Sequence, residues 1–152
     1  MRRRDKEISD RAWIDEVLHA ARVVRVAMCD GGRPYVVPVC FAYDGTCIYV
    51  HSAPEGRKID ILRRNPKVCF EVSADIDVRP GTSPCSWSMD YKCVMGEGTA
   101  VFLEDEHDKR RALEAIIERY TQSPGHAKRI DTVTVIRIDI ASLSAKHSKG
   151  AP

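Results

Sequence analysis

Two glycine turns decide the topology open to this chain. Arg22-Val-Val-Arg-Val-Ala-Met-Cys29 is rich in β-branched residues and runs into Asp30-Gly-Gly32. A second apolar run, Pro34-Tyr-Val-Val-Pro-Val-Cys-Phe-Ala-Tyr43, runs into Asp44-Gly45, and a third occupies residues 46–51. Asp-Gly and Gly-Gly reach the positive φ angles that tight hairpins need without a steric penalty. Hairpins join antiparallel neighbours, whereas a parallel pair needs a crossover of a dozen residues or more. The chain therefore begins as a β-meander and not as a doubly wound parallel sheet.

Pro38 interrupts the second run. Proline has no N–H to give to a ladder, so this strand lies at a sheet edge or bulges there. An edge between Val37 and Phe41 leaves backbone groups free for a flat, polar-edged ligand; a second reading has another element cover it.

The remaining elements alternate in period. Ser9 reads as the N-cap of a helix reaching Ala21, with Trp13, Ile14, Val17 and Leu18 on one face. A helix from Arg57 is terminated by Asn65-Pro66, and residues 68–72 form a fourth strand. Residues 73–88, with Pro80, Gly81 and Pro84, read as a long loop. A fifth strand spans 91–104, where Gly96 and Gly98 suggest a bulge or a close backbone approach. Residues 105–122 read as a charged amphipathic helix with Leu113, Ile116, Ile117 and Tyr120 inward, and 132–140 as the last strand. Six antiparallel strands interrupted by helices point to a small closed or partly split barrel, with an open α+β sandwich as the competing architecture.

The densest chemical signal is His51-Ser-Ala-Pro-Glu-Gly-Arg-Lys58, between the third strand and the second helix. Arg57 and Lys58 sit where the helix dipole is positive, the end that favours anions. An anion held among them and the free first-turn amides accounts for the placement, and phosphate is the obvious candidate. The bland alternative is a first turn whose cations reach into water. The segment has neither the P-loop spacing nor three spaced glycines, so a nucleoside triphosphate is not indicated.

Bulk properties narrow the classes. The 152 residues suit one domain, and 24 basic against 22 acidic side chains leave a formal charge of only +2. A general nucleic-acid surface needs more basic excess than that. The Arg2–Arg4 run is followed by no signal-peptide core, and no window is apolar enough to span a membrane, so a soluble cytoplasmic protein is expected. Six cysteines form no C-x-x-C pair, which argues against structural zinc, and no metal site is expected. Cys29, Cys40, Cys47 and Cys69 fall inside strand-like runs and read as small hydrophobes; Cys85 and Cys93 stay open.

The ordered series resembles a known family. Residues 1–8, Pro34–Phe41, Ile48–Ala53, Gly56-Arg-Lys58, Asn65-Pro66 with Val68–Glu71, and Tyr91–Gly96 are together similar to the pyridoxamine 5'-phosphate oxidase-like FMN-binding split barrels, in the branch of the nitroimidazole-resistance proteins. The likeness runs from residue 1 to about 147. It implies a mainly β fold with α: a six-stranded antiparallel split β-barrel with flanking helices. One domain over 1–152 is expected, with tails at 1–7 and 147–152.

The resemblance also implies a site. His51, Ser52, Ala53, Arg57 and Lys58 match the segment that holds the FMN phosphate. Pro38, Val39, Cys40 and Phe41 match the strand along the isoalloxazine ring, and Tyr91, Lys92, Cys93 and Val94 another flavin-proximal stretch. Family members are homodimers with flavin at the subunit interface. Departures are Lys92 where Arg is common, Cys93 where Ser is common, and Ala145-Lys146 where Gly-Lys is common.

A flavin carries its own redox chemistry, which fits a sequence without a triad or a carboxylate pair. The expected activity is an FMN-dependent oxidoreductase, with NADH or NADPH as donor and a small aromatic or nitro compound as acceptor. His51 is the candidate catalytic residue, against the alternative of an ordinary strand-end histidine. Trp87 and Tyr91 line the ring pocket or else serve packing. The competing function is a non-catalytic flavin- or haem-binding, redox-sensing protein.

Overall fold

The structure is a computed structural model that describes residues 4–127 and 130–148. A 3-10 turn at Arg4–Lys6 leads into a two-residue strand, β1 (Glu7–Ile8), and helix α1 (Arg11–Ala20). Asp10 caps α1, its carboxylate accepting from the Ala12 N–H at 3.0 Å, so the cap falls one residue after the expected Ser9. Strands β2 (Val24–Asp30) and β3 (Arg33–Val39) form the first hairpin, with Gly31 and Gly32 both at positive φ. Then come β4 (Phe41–Tyr43), β5 (Cys47–Ser52), α2 (Arg57–Arg64), β6 (Lys67–Arg79), β7 (Ser88–Phe102), α3 (Glu106–Thr121) and β8 (Thr134–Ser148).

Every pairing is antiparallel, and the sheet runs β3-β2-β6-β7-β8-β5-β4, with β1 added on β8. The two ends of this path, β3 and β4, are consecutive in the chain with only Cys40 between them. A flat sheet would place its first and last strands far apart; one linking residue forces the edges to meet. The sheet therefore curls into a barrel split at Cys40. Pro38 sits on the edge strand β3, in the position its missing N–H permits.

Among the described residues, eight strands replace the expected six. The run 34–43, read as one strand, breaks at Cys40 into β3 and β4, because its halves pair at opposite ends of the sheet. Glu7 and Ile8, the former expected in a tail, pair with Lys146 and Ala145, and β8 continues through His147 to Ser148. Much of the expected 73–88 loop is strand too: β6 continues to Arg79 past an irregularity between Ala74 and Asp77, where Asp75 has φ 50°. Its alternation of Asp75, Ile76, Asp77, Val78 was a period-2 signal in its own right.

Inward residues fill the barrel. Phe41, Ile48, Phe70, Val72, Val94, Ile136 and Ile138 are fully or almost fully buried. Gly96 has no room for a side chain, since a Cβ there would lie 2.3 Å from Phe70 Cζ and 2.8 Å from the Ser142 carbonyl oxygen. That is the close approach its glycine suggested. Helix α3 clamps the split: the Tyr120 hydroxyl accepts from the Phe41 N–H at 3.1 Å and donates to the Arg22 carbonyl at 2.6 Å. Arg119 stacks 4.1 Å from the Phe41 ring and donates to the Leu18 carbonyl at 2.7 Å. Among the described residues no helix is long and apolar enough to cross a membrane.

Candidate functional site

The turn between β5 and α2 ends a strand whose side chains alternate. Ser52 is buried in phase with Ile48 and Val50, while His51 points outward and is exposed. Ala53 is exposed as well. The turn closes on Gly56 with φ 124° and ψ 166°, a conformation that strains any L side chain. No side chain caps α2; the Ile59 and Asp60 N–H groups both turn back to the Gly56 carbonyl, at 2.9 and 3.1 Å. With the Ile59 N–H taken in this way, the Arg57 and Lys58 amides are the first-turn donors left at the helix's positive end.

The two cations of this turn differ. Arg57 reaches toward the first hairpin, 3.8 Å from the Asp30 carboxylate and 4.5 Å from the centre of the Tyr35 ring. Arg64 from the same helix holds Asp30 more closely, at 2.8 Å. Lys58 is half-buried and has no hydrogen bond or ion pair among the described residues. It lines a small void with Val37, Val39 and Val50, and burial pushes its pKa below the ordinary 10.5. An ammonium held in that setting costs free energy that a bound anion would offset.

The edge strand lies beside it. Val39 faces inward and is half-buried, whereas Pro38 and Cys40 face outward. Phe41 is fully buried beneath Arg119, with its N–H spoken for by Tyr120, so its side chain belongs to the core. Lys58 shares its small void with Val39 and Val50, while Arg57 turns to Asp30 and Tyr35, nearer the turn of the first hairpin than Pro38 and Val39.

The remaining predicted residues do not join them within one chain. Val50 lies level with Phe102 through their shared partner Ile136. Phe102 lies eight residue steps from Val94, roughly 25 Å along β7 at about 3.3 Å per step. Val94 is fully buried, and Lys92 is tied to Asp75 at 2.9 Å and Glu16 at 3.5 Å. Tyr91 and Cys93 face outward into an open groove of about 340 Å³ shared with Ser73, Ile76, Met89, Met95 and Lys146. Burial, and then the neighbouring Glu71 carboxylate at 3.6 Å, push the Cys93 thiol up to about 11.

Three features depart from the sequence reading. Cys29, Cys40 and Cys69 are exposed instead of buried, because each falls on the outward phase of its strand or at the split. Trp87 is exposed, and Cys85 lies exposed in a short 3-10 turn. Lys146, noted in the sequence only as half of a departure from the family's Gly-Lys pair, is not among the candidate site residues because the last strand is expected to end at Ile140, although Ser142, Leu143, Ser144, Ala145 and Lys146 alternate through the stretch beyond it.

A curled antiparallel barrel split at one residue, flanked by three helices, defines the split-barrel class of fold. The model of the pyridoxamine 5'-phosphate oxidase family matches residues 10–147, and the chain belongs to that family. A protein of Bacteroides thetaiotaomicron assigned provisionally to 5-nitroimidazole antibiotic resistance is 33% identical, with TM-score 0.82 over 92% of this chain and 85% of its own. The flavocytochrome Anf3 of Azotobacter vinelandii is 25% identical, with TM-score 0.84 over 100% of this chain and 73% of its own. An uncharacterized protein of Rhizobium meliloti is 40% identical over 57 residues, which is 38% of this chain and 37% of that protein's length.

Proposed function

We propose that this protein is an FMN-binding oxidoreductase that reduces a small aromatic or nitro compound. The observation that carries the cofactor reading is Lys58: half-buried, without a partner among the described residues, and placed at the uncapped start of α2. This donor set fits a phosphate monoester: one ammonium, one guanidinium able to swing from a 3.8 Å contact, and first-turn amides beyond a glycine. Lys58 and Arg57 would neutralise the phosphate. Pro38 and Val39 offer an edge backbone to a flat ring, and Ser52 a buried hydroxyl nearby.

A flavin, when bound, supplies the electron transfer from a donor such as NADH or NADPH to an acceptor. The chain's part would be to bind and orient the cofactor, and His51, exposed at the end of β5, would hydrogen-bond a substrate oxygen. The roughly 25 Å between Lys58's end of the barrel and Tyr91–Val94 favours a homodimer in which the two stretches meet across the interface. Six free thiols suit a cytoplasmic location.

The flavocytochrome relative favours one second reading, a flavin- or haem-binding protein that senses and does not turn over. The absorbance spectrum of the purified protein, with its released chromophore identified, separates FMN from FAD, haem and no chromophore. A colourless protein that takes up no FMN sinks the proposal. Multiple turnovers with a nitroaromatic acceptor and NADH or NADPH support the enzyme, and a flavin that stays oxidised with every donor leaves the sensor.

A further inference from the structure

Across the outer face of the sheet runs a row of four side chains. Ser73 lies opposite Cys93, Cys93 opposite Lys146, and Lys146 opposite Glu7. Their neighbours Val72, Val94 and Ala145 are buried, which puts the row on the face away from the core. Tyr91 and Met95 stand two residues either side of Cys93 on the same face, and with Ile76 and Met89 they wall the open groove. Ile76 and Met89 are about half exposed, at 57% and 47%. Apolar walls of this kind bury something flat and apolar, and methionine sulfur packs well against ring edges.

The charge in the groove is the informative part. Lys146 is half-buried and has no hydrogen bond or ion pair among the described residues. Glu71, the carboxylate beside Cys93, is already engaged by Arg25 at 3.1 Å and by the Ser73 hydroxyl. Glu7 faces Lys146 across the strands and forms no ion pair with it among the described residues. A cation without an ion pair among the described residues, set in walls of methionine, isoleucine and tyrosine, complements a ligand with an apolar ring and an oxyanion.

We infer that this groove binds a small aromatic carboxylate, with the ring against Met89, Met95 and Tyr91 and the carboxylate on Lys146. The inference deepens the proposed function, on which its catalytic meaning rests, by giving the acceptor a charge and a place. Binding itself needs only the groove. Exchanging an uncharged ring substituent for a carboxylate should strengthen binding about tenfold, since a charge-assisted bond exceeds a neutral one by about 1.4 kcal/mol, which is tenfold in affinity.

The test is calorimetric titration of the flavin-loaded protein with 4-nitrobenzoate and with uncharged 4-nitrobenzyl alcohol. The expected result is the tenfold preference for the carboxylate, its loss in K146M with flavin content unchanged, and its return in K146R. Equal affinity for both probes in the unaltered protein overturns the inference, as does a preference that survives in K146M. Loss of flavin from K146M also overturns it, since the groove would then house the cofactor. If the protein takes up no flavin, the proposed function falls while the same titration on flavin-free protein still decides the groove.

Discussion

Lys58→Met separates cofactor binding from stability, because the two should move in opposite directions. The substitution keeps the apolar stem against Val37, Val39 and Val50 and removes an ammonium that burial already disfavours. A charge-assisted bond to phosphate is worth ~1.5–3 kcal/mol, so FMN affinity should fall roughly ten- to a hundredfold. The flavin-free protein should gain stability, by about 0.5–1 kcal/mol once the solvent-exposed part of the side chain is discounted. The pH dependence carries a further sign. Burial lowers the folded pKa below 10.5, so the unfolded chain keeps this proton to higher pH. Unfolding then takes up a proton in the window between the lowered value and 10.5, and flavin-free stability rises with pH across it. That rise should vanish from the difference curve in K58M. Fluorescence titration with FMN and urea unfolding from pH 7 to 11 measure both quantities. A variant that loses stability while binding FMN as before would show Lys58 to be a structural plug, refuting the phosphate assignment. Arg57→Met should behave otherwise, losing stability as well as affinity, because Arg57 already has Asp30 and Tyr35.

Other outcomes follow from particular contacts. Gly96→Ala should cost about 2–3 kcal/mol in urea unfolding, because its methyl meets the buried Phe70 ring, and Phe70→Leu in the same chain should recover part of the loss. Asp44 is ionised below its usual range: burial opposes this, but the Cys47 and Thr46 N–H groups and the Tyr49 and Thr46 hydroxyls outweigh it. Its contribution is therefore complete above 3.8 and lost as pH falls through the lower folded value; Asp44→Ala should cost about 1–2 kcal/mol at neutral pH, with the gap closing in acid. Cys93, with its thiol at about 11, should react with iodoacetamide at pH 8 at least a hundredfold more slowly than exposed Cys29 or Cys69, as followed by peptide mass spectrometry; comparable rates would place Cys93 in solvent. Tyr120→Phe removes the hydroxyl that bridges Arg22 and Phe41 and should lower stability by about 1–2 kcal/mol, measured by thermal unfolding.

Much of the fold was legible before any coordinates. The glycine hairpins, the Asn65-Pro66 stop and the amphipathic α3 stand where their local chemistry put them, because each is decided by a few adjacent residues. The break at Cys40 was not legible: an apolar run of ten looks like one strand, and only distant partners, β2 on one side and β5 on the other, divide it. The alternating tip of β6 and the end of β8 were under-read, because polar residues on an outward phase resemble loop. Of the candidate site, the turn with its cations was visible from charge placement alone, while the engagement of Arg57 by Asp30 was not.

The amino-acid sequence by itself determined the antiparallel hairpins, that the Pro38 strand is an edge or bulged there, and the presence of two cations at a helix start, since all three follow from backbone freedom and local charge. Tertiary structure alone decided that the sheet closes on itself at Cys40, that among the described residues Arg57 has an ion pair and Lys58 has none, and that Cys93 and Lys146 share one groove. These depend on which strands become neighbours across the barrel. No short stretch of chain encodes that choice, because it is made by the burial of the whole core at once.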